Sequence, residues 1–315
     1  MAEQLTREEV LIMEKFAMKS VSDKEIQVYV WPIEAPRAVV QLVHGMAEHM
    51  GRYDRLAQAL NAAGYAVVGH DHLGHGPLAK KEELGYFGPK DGWDHLIQDM
   101  KRVTDYAKQR FPGIPLALLG HSMGSFAIRE YLIRYGSALS ACVISGTGWH
   151  PAALATAAQC MASLSGLLSW TKPSNFVNSI GFGSYNKAFQ PARTPFDWLS
   201  RDEKEVDKYI ADPLCGFVFT ARGFYDMFGG LKALSRLDRL QQMPKDLPVY
   251  FLSGAMDPVG TAGAGVKTVA QQFRDAGMRD VTVQLYDGGR HEMFNELNRD
   301  QVTGELIAWL DQKLR

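Results

Sequence analysis

Gly120-His121-Ser122-Met123-Gly124 follows an apolar run that begins at Pro115 (Leu116, Ala117, Leu118, Leu119) and leads into a stretch with helical spacing from Phe126 to Tyr135. A serine with glycines two positions before and after it, between a strand and a helix, sits where a hydroxyl becomes a nucleophile. Such a turn forces the serine backbone into a strained conformation and brings neighbouring chain too close for Cβ atoms, which explains the two glycines. Ser122 is then expected at the exposed tip. The first unpaired N–H groups of the helix, led by that of Met123, would face negative charge developing on a bound carbonyl oxygen. The pattern alone also fits a surface turn of small residues; its strand-turn-helix setting favours catalysis.

On either side of this turn, short apolar runs alternate with helical patterns, the signature of a mostly parallel sheet covered by helices on both faces. Phe16 to Lys19 and Ile26 to Trp31 read as an opening pair of strands, and Ala38 to Val43 as a buried strand. A helix from Tyr53 to Ala63, stopped by Gly64, precedes a strand from Tyr65 to Gly69. Leu96, Met100, Val103 and Ala107 recur at helical spacing within Trp93 to Arg110, and Ala141 to Ile144 reads as a further strand. From Gly146 to about Gly230 the rhythm breaks into apolar helical segments and loops. It resumes with a strand at Val249 to Leu252, a helix near Val266 to Ala276, a strand at Val281 to Leu285 and a final helix from Gln301 to Leu314. The expected organisation is a twisted α/β core formed by residues 1–146 and 231–315, with residues 147–230 inserted as a mainly helical cap.

A serine hydroxyl is a weak nucleophile at neutral pH and needs a base, which in turn needs an acid to fix its tautomer and stabilise its charged form. In open parallel sheets these groups come from loops at the carboxyl ends of strands. Asp257 follows the strand ending near Ser253, with Pro258 bending the chain away, and His291 follows the last strand after Asp287-Gly288-Gly289-Arg290. The order Ser122, Asp257, His291 suits this architecture. Asp257 read blandly is a turn-forming Asp-Pro, His291 a solvent-exposed loop histidine, and Asp287 is a rival acid only four residues before the histidine. A second oxyanion donor is expected after the early strand, at His44-Gly45-Met46, with Gly45 letting the backbone turn and Met46 offering its N–H beside that of Met123. Losing one such donor raises the barrier by about 2.7–4 kcal/mol. His44, Glu48 and His49 read as partners that fix this loop.

Composition narrows the alternatives. The chain has 315 residues and a formal net charge of −1, without the basic face that nucleic-acid binding requires. Its start, Met1 to Glu9, is polar and acidic rather than basic and apolar, which predicts a cytoplasmic protein. The three cysteines, Cys142, Cys160 and Cys215, lie far apart without a CxxC pair and read as small apolar residues. His70, His72 and His75 cluster with Asp71 but lack the HExxH spacing, so no metal is expected. Gly260 to Thr268 resembles a phosphate-binding loop but lacks the contiguous G-K-[ST], and no cofactor is expected. Ala152 to Trp170 is apolar yet interrupted by Gln159, Ser163, Ser165 and Ser169, a poor membrane span.

Taken together, His44-Gly45 with Glu48-His49 and Gly51-Arg52-Tyr53, Asp71 with Gly74-His75-Gly76, the turn at Ser122, Asp257 and His291 resemble the α/β-hydrolases of the monoacylglycerol lipase and lysophospholipase type. The resemblance spans nearly the whole chain. It implies an α/β-hydrolase fold, Ser122, Asp257 and His291 as the triad, and Met46 and Met123 as oxyanion donors. Two positions depart from the pattern: Ala47 and Ser125 stand where the family often has glycine.

Within the cap, Leu154, Ala158, Met161, Leu164 and Leu168 form one helical stripe, and several aromatic residues add apolar surface. The stripe is expected either to pack cap on core or to line an acyl-chain pocket. Trp149, Met161, Leu164, Tyr185 and Tyr225 are candidate substrate contacts, and Asn186 is a further polar one. The expected function is hydrolysis of a carboxylic ester of a mono-acylated lipid through an acyl-serine, with transient contact between cap and lipid surfaces. The alternatives are an aminopeptidase using the same triad, for which Glu203, Glu205 and Asp207 would supply acidity, and a ligand-binding module without turnover.

Overall fold

The computed structural model describes residues 13–314; the polar start that suggested a cytoplasmic protein lies outside them. In chain order the elements are β1 (Glu14–Lys19), β2 (Glu25–Trp31), β3 (Ala38–Val43), α1 (Asp54–Ala62), β4 (Tyr65–His70), α2 (Gly92–Arg110), β5 (Leu116–His121), α3 (Met123–Tyr135) and β6 (Ala141–Ser145). The segment between β6 and β7 carries α4 (Ala152–Gly166), α5 (Asn175–Phe182), α6 (Glu203–Ala211), α7 (Ala221–Ala233) and α8 (Leu237–Leu240). The chain ends with β7 (Val249–Gly254), α9 (Ala264–Asp275), β8 (Val281–Tyr286) and α10 (Arg299–Lys313).

Eight strands form one sheet in the order β1-β2-β4-β3-β5-β6-β7-β8. The pairs β1/β2 and β2/β4 are antiparallel and all others parallel. Every residue of β3, β4, β5, β6 and β7 is buried, as expected of strands covered on both faces. One face is covered by α1 and α10 through Leu56, Leu60, Leu306 and Leu310. The other is covered by α2, α3 and α9 through Leu96, Met100, Ile128 and Phe273. Each such side chain contributes about 1.5–3 kcal/mol on burial.

From β3 the chain moves outward to β4 and then returns past β3 to β5, so the strand order reverses between β3 and β5. Ligand crevices in open α/β sheets form at that point, outside the carboxyl ends of the strands. Val43 pairs with Gly120, His121 with Ser145, and Gly254 with Tyr286. The loops bearing Met46, Ser122, Asp257 and His291 therefore leave the same edge of the sheet.

Three boundaries and one face differ from the sequence reading. Helix α3 starts at Met123 rather than Phe126, because the turn is completed within Ser122 itself. Helix α7 runs through residue 230 to Ala233, so the expected end of the insert falls inside a helix that packs on α2 and α3. The last helix spans Arg299–Lys313. The leucines of the α4 stripe face solvent, with Leu154 and Leu164 exposed and Leu168, beyond the helix end, 93 % exposed, while Ala158 packs on the core and Met161 is half-buried. The buried side of α4 is Ala155, Ala162 and Gly166, small residues that let it lie close against α7.

Candidate active site

Ser122 adopts φ 54° and ψ −118°, a positive-φ backbone that costs a non-glycine residue about 1–3 kcal/mol. Its N–H donates to Ser145 O at 3.0 Å, and its carbonyl accepts from the N–H groups of Ser125 and Phe126 and from the Ser125 hydroxyl at 2.6 Å. A Cβ on Gly120 would lie 2.6 Å from Gly124 O, and one on Gly124 would lie 2.3 Å from Val43 O. Both obstacles are backbone that cannot turn aside, so glycine is required at each.

Asp257 is fully buried after β7. Its Oδ1 accepts the Val259 N–H at 2.9 Å, and its Oδ2 accepts from the Ser253 hydroxyl at 3.1 Å and from His291 Nδ1–H at 2.9 Å. That bond fixes the His291 tautomer and leaves Nε2 as the basic nitrogen. The ring packs on Trp198 and His121, with centroids 5.0 and 4.6 Å away. A Cβ on Gly146 would meet His291 Cε1 at 3.1 Å, and Gly146 directly follows Ser145, whose carbonyl holds the Ser122 N–H. Ser122 and His291 thus share one corner. Among the described residues no hydrogen bond joins Ser122 Oγ to His291 Nε2; contacts of this kind tighten when substrate binds.

Burial disfavours a charged His291 ring, but the Asp257 carboxylate and the hydrogen bond to it outweigh burial and hold the pKa above its ordinary value. For His121 burial wins, helped by repulsion from His291, and its pKa falls to about 3. Only one of the two stacked imidazoles is therefore available to gain a proton near neutral pH. Asp287, the rival acid, is exposed.

The loop after β3 lies against the Ser122 turn. A Cβ on Gly45 would meet Glu48 Oε1 at 2.7 Å and Ser122 Cβ at 3.1 Å, so glycine stands there for close approach rather than to turn the backbone as expected. The positive φ, 52°, falls on Ala47, the position where the sequence departs from the family pattern. Among the described residues, nothing accepts a hydrogen bond from the Met46 or Met123 N–H. Ser125, the other departure, is buried with its hydroxyl bonded to Ser122 O.

Glu48 holds the loop as expected, within an ion cluster whose other members, Arg52 and Glu292, sequence reading did not connect to it. Glu48 Oε1 accepts from the Gly45 N–H at 2.6 Å and the Tyr53 hydroxyl at 2.9 Å, while Oε2 accepts from Arg52 at 2.6 Å. Arg52 also grips both oxygens of Glu292, next to His291, at 2.8 and 2.7 Å. Burial opposes the charge on Glu292, yet the Arg52 guanidinium holds its carboxyl well below the usual range. One arginine thus ties the Met46 loop to the His291 loop. His44 and His49 hold the loop as expected: His44 Nδ1 pairs with Gly45 O at 2.8 Å and His49 Nε2 with Asp212 Oδ2 at 2.8 Å.

Of the candidate substrate contacts, Tyr185 connects to His291 through one intervening ring. Its ring lies 4.9 Å from Trp198, the residue stacked on His291, and burial, aided by Asp257, pushes its phenol up. Phe182 continues the line from Tyr185 at 5.4 Å to Phe224 at 6.2 Å. Trp149 is 40 % exposed, and its backbone lies beside Gly265, at the mouth of the loop that carries Asp257. Met161 is half-buried on α4. Two candidates are not brought to Ser122. Leu164 is 63 % exposed because the small-residue side of α4 is the one that packs. Tyr225 meets Trp170 edge-to-face, lies under the Arg222 guanidinium and turns to a charged cleft with Asp94, Glu130 and Arg134. Asn186 bonds to Thr194 O and the Trp198 N–H, positioning Trp198. Trp198 itself escaped sequence reading because it lies in an irregular stretch with no periodic signal. Of the cysteines, only Cys142 is a buried apolar residue; Cys160 is exposed and Cys215 half-buried.

The reversed strand order with a serine turn after β5 is the arrangement of the α/β-hydrolases. Within that class the chain belongs to the family described as serine aminopeptidase, S33, whose sequence model matches residues 34–298. A monoacylglycerol lipase of Mycolicibacterium smegmatis is 30 % identical over 89 % of this chain and 91 % of its own. The human monoglyceride lipase is 28 % identical over 90 % of this chain and 85 % of its own. The structure of a thermostable carboxyl esterase from Bacillus coagulans in complex with glycerol superposes with a TM-score of 0.89 at 26 % identity, covering 96 % of this chain and 99 % of that one.

Arg52→Met would leave Glu48 and Glu292 buried without their shared cation. We expect a loss of about 3–5 kcal/mol in urea unfolding at pH 7, the cost of an uncompensated buried charge. A loss below about 1 kcal/mol would show that the cluster does not hold the two loops.

Proposed function

We propose that the protein hydrolyses carboxylic esters of mono-acylated lipids, monoacylglycerols or lysophospholipids, through an acyl-Ser122 intermediate. The observation that carries this reading is the buried Asp257–His291 pair in the same corner as a strained, half-buried serine. His291 Nε2 takes the Ser122 proton as Oγ attacks the ester carbonyl, and the Met46 and Met123 N–H groups receive the oxyanion. Collapse breaks the bond to the leaving alcohol, which takes the proton from His291. Water, deprotonated by the same nitrogen, then attacks the acyl-serine and releases the fatty acid.

The line from Trp198 through Tyr185 and Phe182 to Phe224 gives an apolar lining for an acyl chain beside the base, and the relatives named above act on monoacyl esters by name. The acids weighed for the aminopeptidase alternative are taken up in ion pairs on α6: Glu203 and Asp207 with Arg193, and Glu205 with Lys208. We read residues 147–230, extended through the end of α7, as a cap over this site. Its outer side exposes Leu164, Leu167, Leu168, Phe176 and Ile180, an apolar face suited to transient contact with a lipid surface. Among the described residues no helix is long and apolar enough to cross a membrane; the cytoplasmic setting is part of the proposal and rests on the polar, acidic start of the sequence.

A series of glyceryl and aryl monoesters should show kcat/KM rising from acetyl to medium chains by about tenfold or more, since two buried methylenes supply about 1.6 kcal/mol. Greatest activity on acetyl esters with none on longer chains would remove the lipid part of the proposal. Because the base must be neutral and its pKa is raised, kcat/KM should fall with decreasing pH through a midpoint above the ordinary 6.5. A midpoint at or below that value would contradict the assignment of His291 as a base poised by Asp257.

A further inference from the structure

The second group of chemically active side chains lies beside the Met46 loop and takes no part in the reaction described above. His49 Nε2 and Asp212 Oδ2 are 2.8 Å apart, and the ligand atoms of His49, Asp212 and Cys215 all lie within 4.8 Å of one another. Two ligands of a tetrahedral zinc, with bonds of about 2.0–2.3 Å, sit about 3.3–3.6 Å apart. Side-chain shifts of about 1 Å or less would bring the three atoms to that spacing. We propose that His49, Asp212 and Cys215 form a binding site for a thiophilic divalent cation of the zinc type.

The local chain geometry presents the donors together. The Cys215 N–H donates to Asp212 O at 3.0 Å and the Leu214 N–H to Asp212 Oδ1 at 2.8 Å, so a tight turn after α6 sets carboxylate and thiol side by side. His49 comes from the opposite wall, 163 residues away. The Asp212 and His49 side chains keep partial access to water, which leaves a fourth position for a solvent ligand. An imidazole, a carboxylate and a thiol together favour zinc-like ions over magnesium or calcium, which choose oxygen ligands. The cation would displace the Cys215 thiol proton to solvent and take the Nε2 lone pair of a neutral His49, whose single ring proton then resides on Nδ1, while Asp212 binds as the carboxylate. Burial pushes that thiol up, so the site holds an unreactive thiol until a metal ionises it.

Such an ion would join two segments already in contact, since the Gly216 N–H and the Tyr209 hydroxyl both donate to Ala47 O at 2.9 Å. Occupancy therefore fastens the Met46 loop to the insert.

The test is a cobalt(II) titration of the full chain carrying Cys160→Ser, which removes the exposed thiol. One Co2+ per chain is expected, with thiolate-to-cobalt charge-transfer absorption in the near ultraviolet that added Zn2+ abolishes. Adding Cys215→Ala should remove the band, and Asp212→Asn should weaken Co2+ binding at least about tenfold, the loss typical even of an outer partner. Thermal melting, which should show a Zn2+-dependent rise in Tm in the parent only, checks that both variants fold. Absence of the band, its persistence in folded Cys215→Ala, or unchanged affinity in Asp212→Asn would overturn the proposal. None of these readouts depends on esterase activity, so the site and the proposed reaction stand or fall separately.

Discussion

The structure turns on a backbone contact. Gly124, at the start of α3, lies against the carbonyl of Val43 at the end of β3, with no space between them for a single methyl group. That contact sets the Ser122 turn directly beside the loop that follows β3, at the place where the strand order reverses. The positive φ of Ser122 persists because hydrogen bonds to Ser145, Ser125 and Phe126 over-determine it. Strain at Ser122 is sustained by a sheet whose central strands are buried throughout.

Electrostatics then decide how each buried ionisable group behaves, and burial does not always win. At His121, whose ring bonds to the Ser145 hydroxyl rather than to a carboxylate, desolvation outweighs the pull of Glu292 and Asp257 and keeps the ring neutral. At His291, 4.6 Å away, Asp257 reverses the outcome. At Glu292 the Arg52 guanidinium does the same for a carboxylate. The alternation places a titrating base between a neutral imidazole and a closed ion cluster. The cluster also bridges the loops of Met46 and His291, so one arginine fixes how the two loops sit beside Ser122.

Much of this was readable in the sequence because it depends on local rules. Strand and helix positions followed from apolar periodicity, and the required order of Ser122, Asp257 and His291 could be read without coordinates. The departures had physical causes that periodicity does not encode. The α4 leucines point to water because Ala155, Ala162 and Gly166 offer closer packing than leucines would. Gly45 serves close approach, while the turn's positive φ rests on Ala47. The Arg52 bridge joins residues 240 positions apart, and the His49–Asp212–Cys215 group joins donors from two distant segments; neither leaves a spacing to recognise. Trp198 belongs to the same class, placed by Asn186 within an irregular stretch.

The central claim is that Ser122 is a nucleophile activated by His291. The most direct measurement is reaction of the folded protein with a long-chain alkyl fluorophosphonate, followed by peptide mass mapping. With Ser122 as the nucleophile, one adduct per chain is expected on the peptide containing Ser122, absent in Ser122→Ala and strongly slowed in His291→Ala. No adduct on the folded protein, or equal labelling of Ser122→Ala, would contradict it and favour a binding module that kept the fold without turnover.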